Sequence, residues 1–514
     1  MALNEEQYRL LCESCDRVLM APDSTVERIS IPWLHVIREH PVFLENYSDI
    51  FEPLGPIRTI GRQMFRSLRN SAGMLRQLGI SIRAGERRWI EAEKIPGQID
   101  VLLVSHLLNA SQAGLEDDFY YGKLTEDLSA QGCTAVIALI NYSGIHGVSL
   151  ISKFNKNATP RVILTKSLSI CEEFEIHRRL RKESSILKRQ AKKETDGLLK
   201  KLYFRASKEV LSVGTHSALR ISQQIGALVS QLKPKAILVT YEGHAWERLV
   251  FAAARDACPP VRCIGYQHAA LFRLQHAIRR NLAREYTPDM ILTAGAISKA
   301  QLEVAPKPAG VPISVLGSNR AIKDSSKTAN CSNNPAHPIS STCLVLPEGI
   351  ASECHILFNF SLACALSRPD INFIWRLHPL MNFETLKRKG RIFHHLPKNI
   401  QLSQKTLEED IASSCCAIYR GSTAIVQAVS AGLKPIYLKL PNEISIDPLY
   451  EINGYRAQIG SVEEFLGAIN NIQSTGTEHS EADIEVARKY CDDFYLPFDC
   501  RVLIDAINAN TNCN

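Results

Sequence analysis

From residue 99 onward, short apolar runs recur at intervals long enough to hold a helix. Ile99–Val104, Thr134–Ile140, Arg161–Leu164, Lys235–Thr240, Val261–Tyr266, Met290–Thr293 and Ile313–Leu316 are such runs in the first part of the chain. None alternates apolar with polar, and most are followed by a small or polar residue. That is how parallel strands read when helices cover both sheet faces. The pattern predicts an α/β fold, with one Rossmann-type domain of about six or seven strands over residues 1–322. Residues 1–95 read as helices and loops ahead of the sheet, without chemistry of their own.

Residues 323–340 are rich in Ser, Asn, Ala and Lys, carry two prolines and lack an apolar period, so they read as a linker. A second set of runs follows within residues 341–514: Thr342–Leu346, Asn372–Arg376, Ile400–Leu402, Ala417–Tyr419 and Lys434–Leu438. The tail from Ser461 is helical in pattern. Two Rossmann-type domains then face a central cleft, the first on the acceptor side and the second on the donor side. Within the first, a helical insertion at about 172–232 opens with the charged segment 172–201. It reads as a solvated, protruding hairpin, or as a basic surface able to touch anionic lipid headgroups.

In parallel sheets ligands collect beyond the carboxyl ends of the strands, so the residues just after each run are the candidates. In the second domain, Gly421, Ser422 and Thr423 lie where a strand gives way to a helix. Backbone N–H groups and two hydroxyls there suit a phosphate, and equally suit an ordinary Ser/Thr helix cap. Arg376 and His378, in Trp375-Arg376-Leu377-His378-Pro379, reach the same edge as Glu348-Gly349 and add a guanidinium and an imidazole for a phosphodiester or diphosphate. The first domain offers His106, His268 and the stretch Tyr241-Glu242-Gly243-His244. Glu242 or His244 can accept a proton from a substrate hydroxyl. The other reading has Glu242 capping the next helix and His244 packing on Trp246.

Composition narrows this reading little. The chain has 514 residues, a net charge of +7, 45% apolar and 22% charged residues, ordinary for a two-domain enzyme and not basic enough to require nucleic acid. Fifteen scattered cysteines, two of them adjacent at 415–416, suggest thiols in a reducing compartment. No apolar run is long enough to span a bilayer and the N-terminus has no signal-peptide pattern, so a cytoplasmic location is expected, including at the inner face of a membrane. No P-loop, G-x-G-x-x-G, H-E-x-x-H or G-x-S-x-G occurs, and no D-x-D that would clamp a metal-bound sugar nucleotide. No metal site and no cofactor are expected; the nucleotide-sugar is a substrate.

Taken together, Tyr241–Glu247, Gly265-Tyr266-Gln267-His268, Leu346-Pro347-Glu348-Gly349, Arg376-Leu377-His378-Pro379 and Gly421-Ser422-Thr423-Ala424 resemble bacterial surface-carbohydrate biosynthesis proteins of glycosyltransferase B (GT-B) type. More distantly they are similar to sialyltransferases, capsular Kdo transferases and CDP-glycerol glycerophosphotransferases. The resemblance implies that Glu348 and Gly349 line a nucleotide, and that His378, Ser422 and Thr423 contact its phosphate. Two departures bear on the donor: Pro347 stands where sialyltransferases carry a second acid, and Ala269 where the glycerophosphotransferases carry glycine.

The expected activity is transfer of a sugar from a nucleotide-activated donor, CMP-linked among the candidates, to a surface glycan or lipid-linked glycan. Glu242 and His244 would serve catalysis, His106 and His268 the acceptor side, and Glu348, Gly349, Arg376, His378, Ser422 and Thr423 the donor. Two alternatives stand beside it: a sugar-nucleotide epimerase, and a non-catalytic subunit of a polysaccharide assembly complex recruited through the basic segment.

Overall fold

In a computed structural model the chain is described for residues 3–52, 87–91, 95–145, 147–154, 159–308, 310–321, 342–379, 381–388, 390–474 and 481–509, with scattered positions between 61 and 82. The expected linker at 323–340 lies outside the described residues. The first sheet holds β1 (Trp89–Glu91), β2 (Val101–Leu107), β3 (Ala135–Asn141), β4 (Arg161–Leu164), β5 (Ala236–Thr240), β6 (Arg262–Gln267), β7 (Met290–Thr293) and β8 (Ile313–Val315). Its order is β1-β4-β3-β2-β5-β6-β7-β8, parallel throughout except for the antiparallel edge strand β1. The apolar runs are strands for the expected reason. In β2, Val101 and Leu103 pack into one core and Leu102 and Val104 into the other, all fully buried.

The second sheet holds β9 (Thr342–Leu346), β10 (Asn372–Trp375), β11 (Ile400–Leu402), β12 (Cys416–Tyr419), β13 (Lys434–Leu438) and β14 (Ala457–Ile459). Its order is β11-β10-β9-β12-β13-β14, all parallel. In each sheet the chain reverses its direction of winding once, between β2 and β5 in the first and between β9 and β12 in the second. At such a reversal the connecting helices part and leave a crevice beyond the strand ends.

Two packing outcomes differ from expectation. The basic segment does not protrude. Helix Ile170–Lys193 packs on helix Gly197–Glu209 and on the N-terminal helices, burying Ile176, Leu180 and Leu187. Its Glu183 accepts a 2.8 Å hydrogen bond from the fully buried Arg28. Its exposed face, with Arg178, Arg181, Lys182, Lys188 and Arg189, remains basic. The last helix, Cys500–Asn508, leaves the second sheet and buries Leu503, Ala506 and Ile507 in the core beneath β2 and β3. The chain reaches it along the ends of β7 and β8, where Leu496 N–H donates to Ala294 and Asp499 N–H to Leu316. Gly317, at φ +99°, makes this passage possible because a Cβ there would lie 2.1 Å from the Pro497 carbonyl oxygen. Among the described residues no helix is long and apolar enough to cross a membrane.

Candidate active site

At the winding reversal of the first sheet, His106 near the end of β2 meets Thr240 at the end of β5, Nε2 lying 3.1 Å from Oγ1. Loss of hydration pushes His106 down to about 3, so its ring is neutral, and it stands edge-on to Trp246 at 5.3 Å. After β5 the chain turns tightly at Gly243, φ 92°, beside the backbone of Ala277, and helix Ala245–Ala257 begins. Glu247 folds back over this turn. Its Oε2 accepts the N–H groups of Glu242, Gly243 and His244 at 2.9, 2.7 and 2.8 Å. Glu247 therefore does the capping that one reading assigned to Glu242.

Relieved of that task, the Glu242 carboxylate faces Arg38, whose Nη2 donates to both its oxygens at 2.6 and 2.8 Å. His244 Nε2 lies 3.4 Å from Glu242 Oε2. Burial alone would raise the Glu242 pKa, but Arg38 and then His244 outweigh it and hold the carboxyl well below the usual range. His244 moves the other way: loss of hydration lowers it, yet the Glu247 and Glu242 carboxylates leave it raised overall. Burial pushes Glu247 up to about 7. His268, just past β6, packs on Tyr120 with ring centroids 4.6 Å apart, and loss of hydration brings it down to about 4. Its Nδ1 has no hydrogen-bond partner among the described residues. Arg38, His106, Glu242, His244, Trp246 and His268 line one cavity of about 570 Å³.

The winding reversal of the second sheet gathers the other candidates. Glu348 follows β9 and lies directly over Gly421, which follows β12; a Cβ on Gly421 would stand 2.0 Å from Glu348 Oε1. The His378 ring lies over Gly349 in the same way, a Cβ there meeting Nδ1 at 2.7 Å. Glu348, Gly349, His378 and the Gly421-Ser422 turn thus form one surface. Thr423 stands at the N-cap of the short helix Ala424–Ser430, as the helix-cap reading has it, but its side chain makes no capping hydrogen bond. His378 is lowered by loss of hydration and by the nearby charge of Arg320.

Arg376 does not join this surface. It follows β10, whose outer neighbour is β11, and its Nη1 donates to Asp410 Oδ2 at 2.7 Å and to the Lys405 carbonyl at 2.8 Å. Asp410 is buried and draws the guanidinium to the sheet edge, away from the Glu348 surface.

Sequence reasoning missed several side chains of the site. Arg38 and His40 belong to a segment that carries no strand signal. His40 Nδ1 accepts the Val42 N–H at 3.2 Å, which places the ring proton on Nε2, and Nε2 lies 3.3 Å from Glu348 Oε1. His40, Glu348 and Glu353 lie close enough together to surround a cation. That donor set fits one poorly, because Nε2 carries its proton and Glu353 is already paired with Arg420 at 2.6 Å. Arg320 follows β8, and its charge lowers both His268 and His378. The strand-end rule that selected His106 and His268 would have found it. One short segment, Arg38-Glu39-His40, therefore ties the strand-end acid of the first sheet to that of the second.

No protein-family model and no curated protein matches the sequence. Among solved structures the chain is similar to the glycosyltransferase SnogD from Streptomyces nogalater, at 14% identity, a TM-score of 0.44, and coverage of 80% of this chain and 99% of that one. It is similar to MurG from Acinetobacter baumannii at 12% identity, TM-score 0.44, covering 80% and 99%. It is similar to the UDP-GlcNAc 2-epimerase from Neisseria meningitidis at 12% identity, TM-score 0.43, covering 80% and 98%. Likenesses this remote carry no argument about activity. The α/β, GT-B-like class rests on the two Rossmann-type sheets themselves, whose carboxyl edges meet through Arg38 and His40, and on the C-terminal helix that returns to the first.

Proposed function

We propose that this protein transfers a glycosyl group from a nucleotide-activated donor to a hydroxyl acceptor. The observation that carries the reading is the joining of the two strand-end sites by one segment, Arg38 Nη2 donating to Glu242 after β5 and His40 Nε2 lying 3.3 Å from Glu348 after β9. The donor phosphate lies against His378, Ser422 and Thr423 while Glu348 and Gly349 line the rest of the nucleotide, with Arg320 supplying the guanidinium role expected of Arg376. The acceptor hydroxyl enters the cavity beside His268. Its oxygen attacks the anomeric carbon, the bond from that carbon to the phosphate oxygen breaks, and the hydroxyl proton passes to the protein. Arg320 balances the charge left on the departing nucleotide, and the neutral His378 ring donates a hydrogen bond to it.

His268 suits the proton better than Glu242 or His244. Arg38 holds Glu242 as a weakly basic carboxylate, and the surrounding acids favour His244 with its proton on. His268, brought down to about 4, is no stronger a base, but it is neutral and its Nδ1 has no hydrogen-bond partner among the described residues, whereas Arg38 holds both oxygens of Glu242. Glu242 and His244 then set the field around the acceptor. A cytidine nucleotide and a surface glycan, lipid-linked or not, are the finer reading, supported by the motif resemblance; contact of the basic helix face with an anionic membrane belongs with it.

Calorimetry with CMP, CDP, UDP and GDP against the wild type, Arg320→Ala and His378→Ala tests the donor site. Selective binding of one nucleotide that weakens in both variants is expected. Binding of none, or binding untouched by both substitutions, overturns the proposal.

A further inference from the structure

A second cavity, of about 470 Å³, opens where the N-terminal helix, the loop after β6 and the loop after β13 meet. It shares no lining residue with the cavity around His268. Arg273 and Arg279 stand on its wall, Tyr8 and Tyr450 supply aromatic surface, and Gln301 and Glu451 close the side toward the second sheet. Arg273 is ion-paired with Glu5 and its side chain is 45% exposed; Arg279 Nη1 donates to the carbonyls of Val304 and Pro306, at 3.3 and 3.4 Å.

One buried acceptor on this wall lacks a donor among the described residues. Gln301 is 3% exposed and gives Nε2 to Glu451 Oε2 at 2.7 Å, while its Oε1 has no partner among the described residues. Behind the wall lies Glu39, fully buried, whose Oε1 accepts the N–H of the lining residue Leu274 at 2.6 Å. Burial pushes its carboxyl up to about 7. Buried acceptors left without donors cost stability unless water or a ligand supplies them. Two arginines on the same wall would draw an anion to this space.

We propose that this cavity is a second small-molecule site, distinct from the donor site, and that it binds a phosphorylated polyol of sugar-phosphate type. The phosphate pairs with Arg279 and Arg273, a hydroxyl donates to Gln301 Oε1, and the tyrosine rings flank the sugar. The ligand touches both halves of the molecule, since Tyr450 and Glu451 belong to the second and the arginines to the first.

The test is calorimetry on the full chain with glucose 6-phosphate and, separately, inorganic phosphate. Saturable binding of glucose 6-phosphate is expected, with phosphate alone weaker for want of the hydroxyl contacts. Arg279→Ala and Gln301→Leu should each weaken it by roughly tenfold or more, and Arg320→Ala should leave it unchanged. Absence of saturable glucose 6-phosphate binding, or binding indifferent to Arg279→Ala and Gln301→Leu, overturns the proposal. Loss confined to Arg320→Ala also overturns it, because the sugar phosphate then occupies the donor site. Should Gln301→Leu melt early, Arg273→Ala carries the same comparison from an exposed position.

Discussion

Arg38 Nη2 lies 2.6 Å from one oxygen of Glu242 and 2.8 Å from the other, across 204 positions of sequence. A residue ahead of the first sheet thus sets the charge state of an acid at the centre of that sheet. Arg38→Ala leaves this carboxylate buried without its main partner and should cost about 1–3 kcal/mol, read from urea unfolding at neutral pH. The pH dependence has a definite sign. The folded pKa of Glu242 is depressed, so its contribution is complete above the ordinary carboxylate range and lost as pH falls through the folded value. In Arg38→Ala that loss should be smaller and end at a higher pH. Matching acid limbs in the two proteins would refute the pairing.

His40→Ala removes the donor at Glu348 while leaving Glu353 paired with Arg420. Glu348 then loses the hydrogen bond that orients it over Gly421. Nucleotide affinity should fall by roughly tenfold with the fold intact, measured by calorimetry beside a melting curve.

Glu247 carries the opposite sign from Glu242. Its folded pKa of about 7 lies above the ordinary 4.5, so the folded state favours the protonated acid and loses stability as pH rises between those values. Glu247→Gln keeps an acceptor for the three N–H groups and removes the titration. Its melting temperature should therefore fall less than that of the wild type across this window. His268 contributes in the reverse direction, losing stability as pH falls from about 6.5 to about 4, and is common to both proteins.

His268→Asn tests the proposed proton acceptor. The turnover rate should drop by roughly a hundredfold or more while nucleotide binding stays near that of the wild type. The Glu242→Gln rate, measured beside it, shows whether that carboxylate contributes field or takes the proton. A larger loss in Glu242→Gln than in His268→Asn would return the role to the acid.

Gly421→Ala places a methyl group 2.0 Å from Glu348 Oε1, where the carboxylate must move. A cost of about 1–3 kcal/mol together with loss of nucleotide binding is expected, as for overpacking elsewhere. Gly97→Ala, with nothing within 4 Å of its added carbon, is the control and should melt with the wild type.

Most of the strand ends were legible because their cause is local. Buried parallel strands must be apolar on both faces, so runs such as Val101–Val104 and Ala236–Val239 announce themselves, and the residues after them fall at the carboxyl edge whatever the rest of the chain does. His106, Glu242, His268, Glu348, His378 and Ser422 were found in this way. The strand end at β8 pointed to Arg320 by the same logic and was passed over.

The partners of those residues were decided by packing alone. Arg376 sits at a strand end like the others, but Asp410, held by a short helix beside β11, takes its guanidinium to the sheet edge. Arg38 and His40 have no periodic signal, and their worth lies in contacts 204 and 308 positions away. The basic helix reads as solvated because its charges outnumber its apolar residues, yet one apolar stripe and the Arg28–Glu183 pair dock it. The final helix is amphipathic wherever it lies, and only the groove left open beneath β2 and β3 selects its place. The sequence by itself determined which residues stand at the strand ends, since burial writes a period of its own into each segment. Tertiary structure decided which acid meets which base, since an ion pair is set by distance in space and leaves no period along the chain.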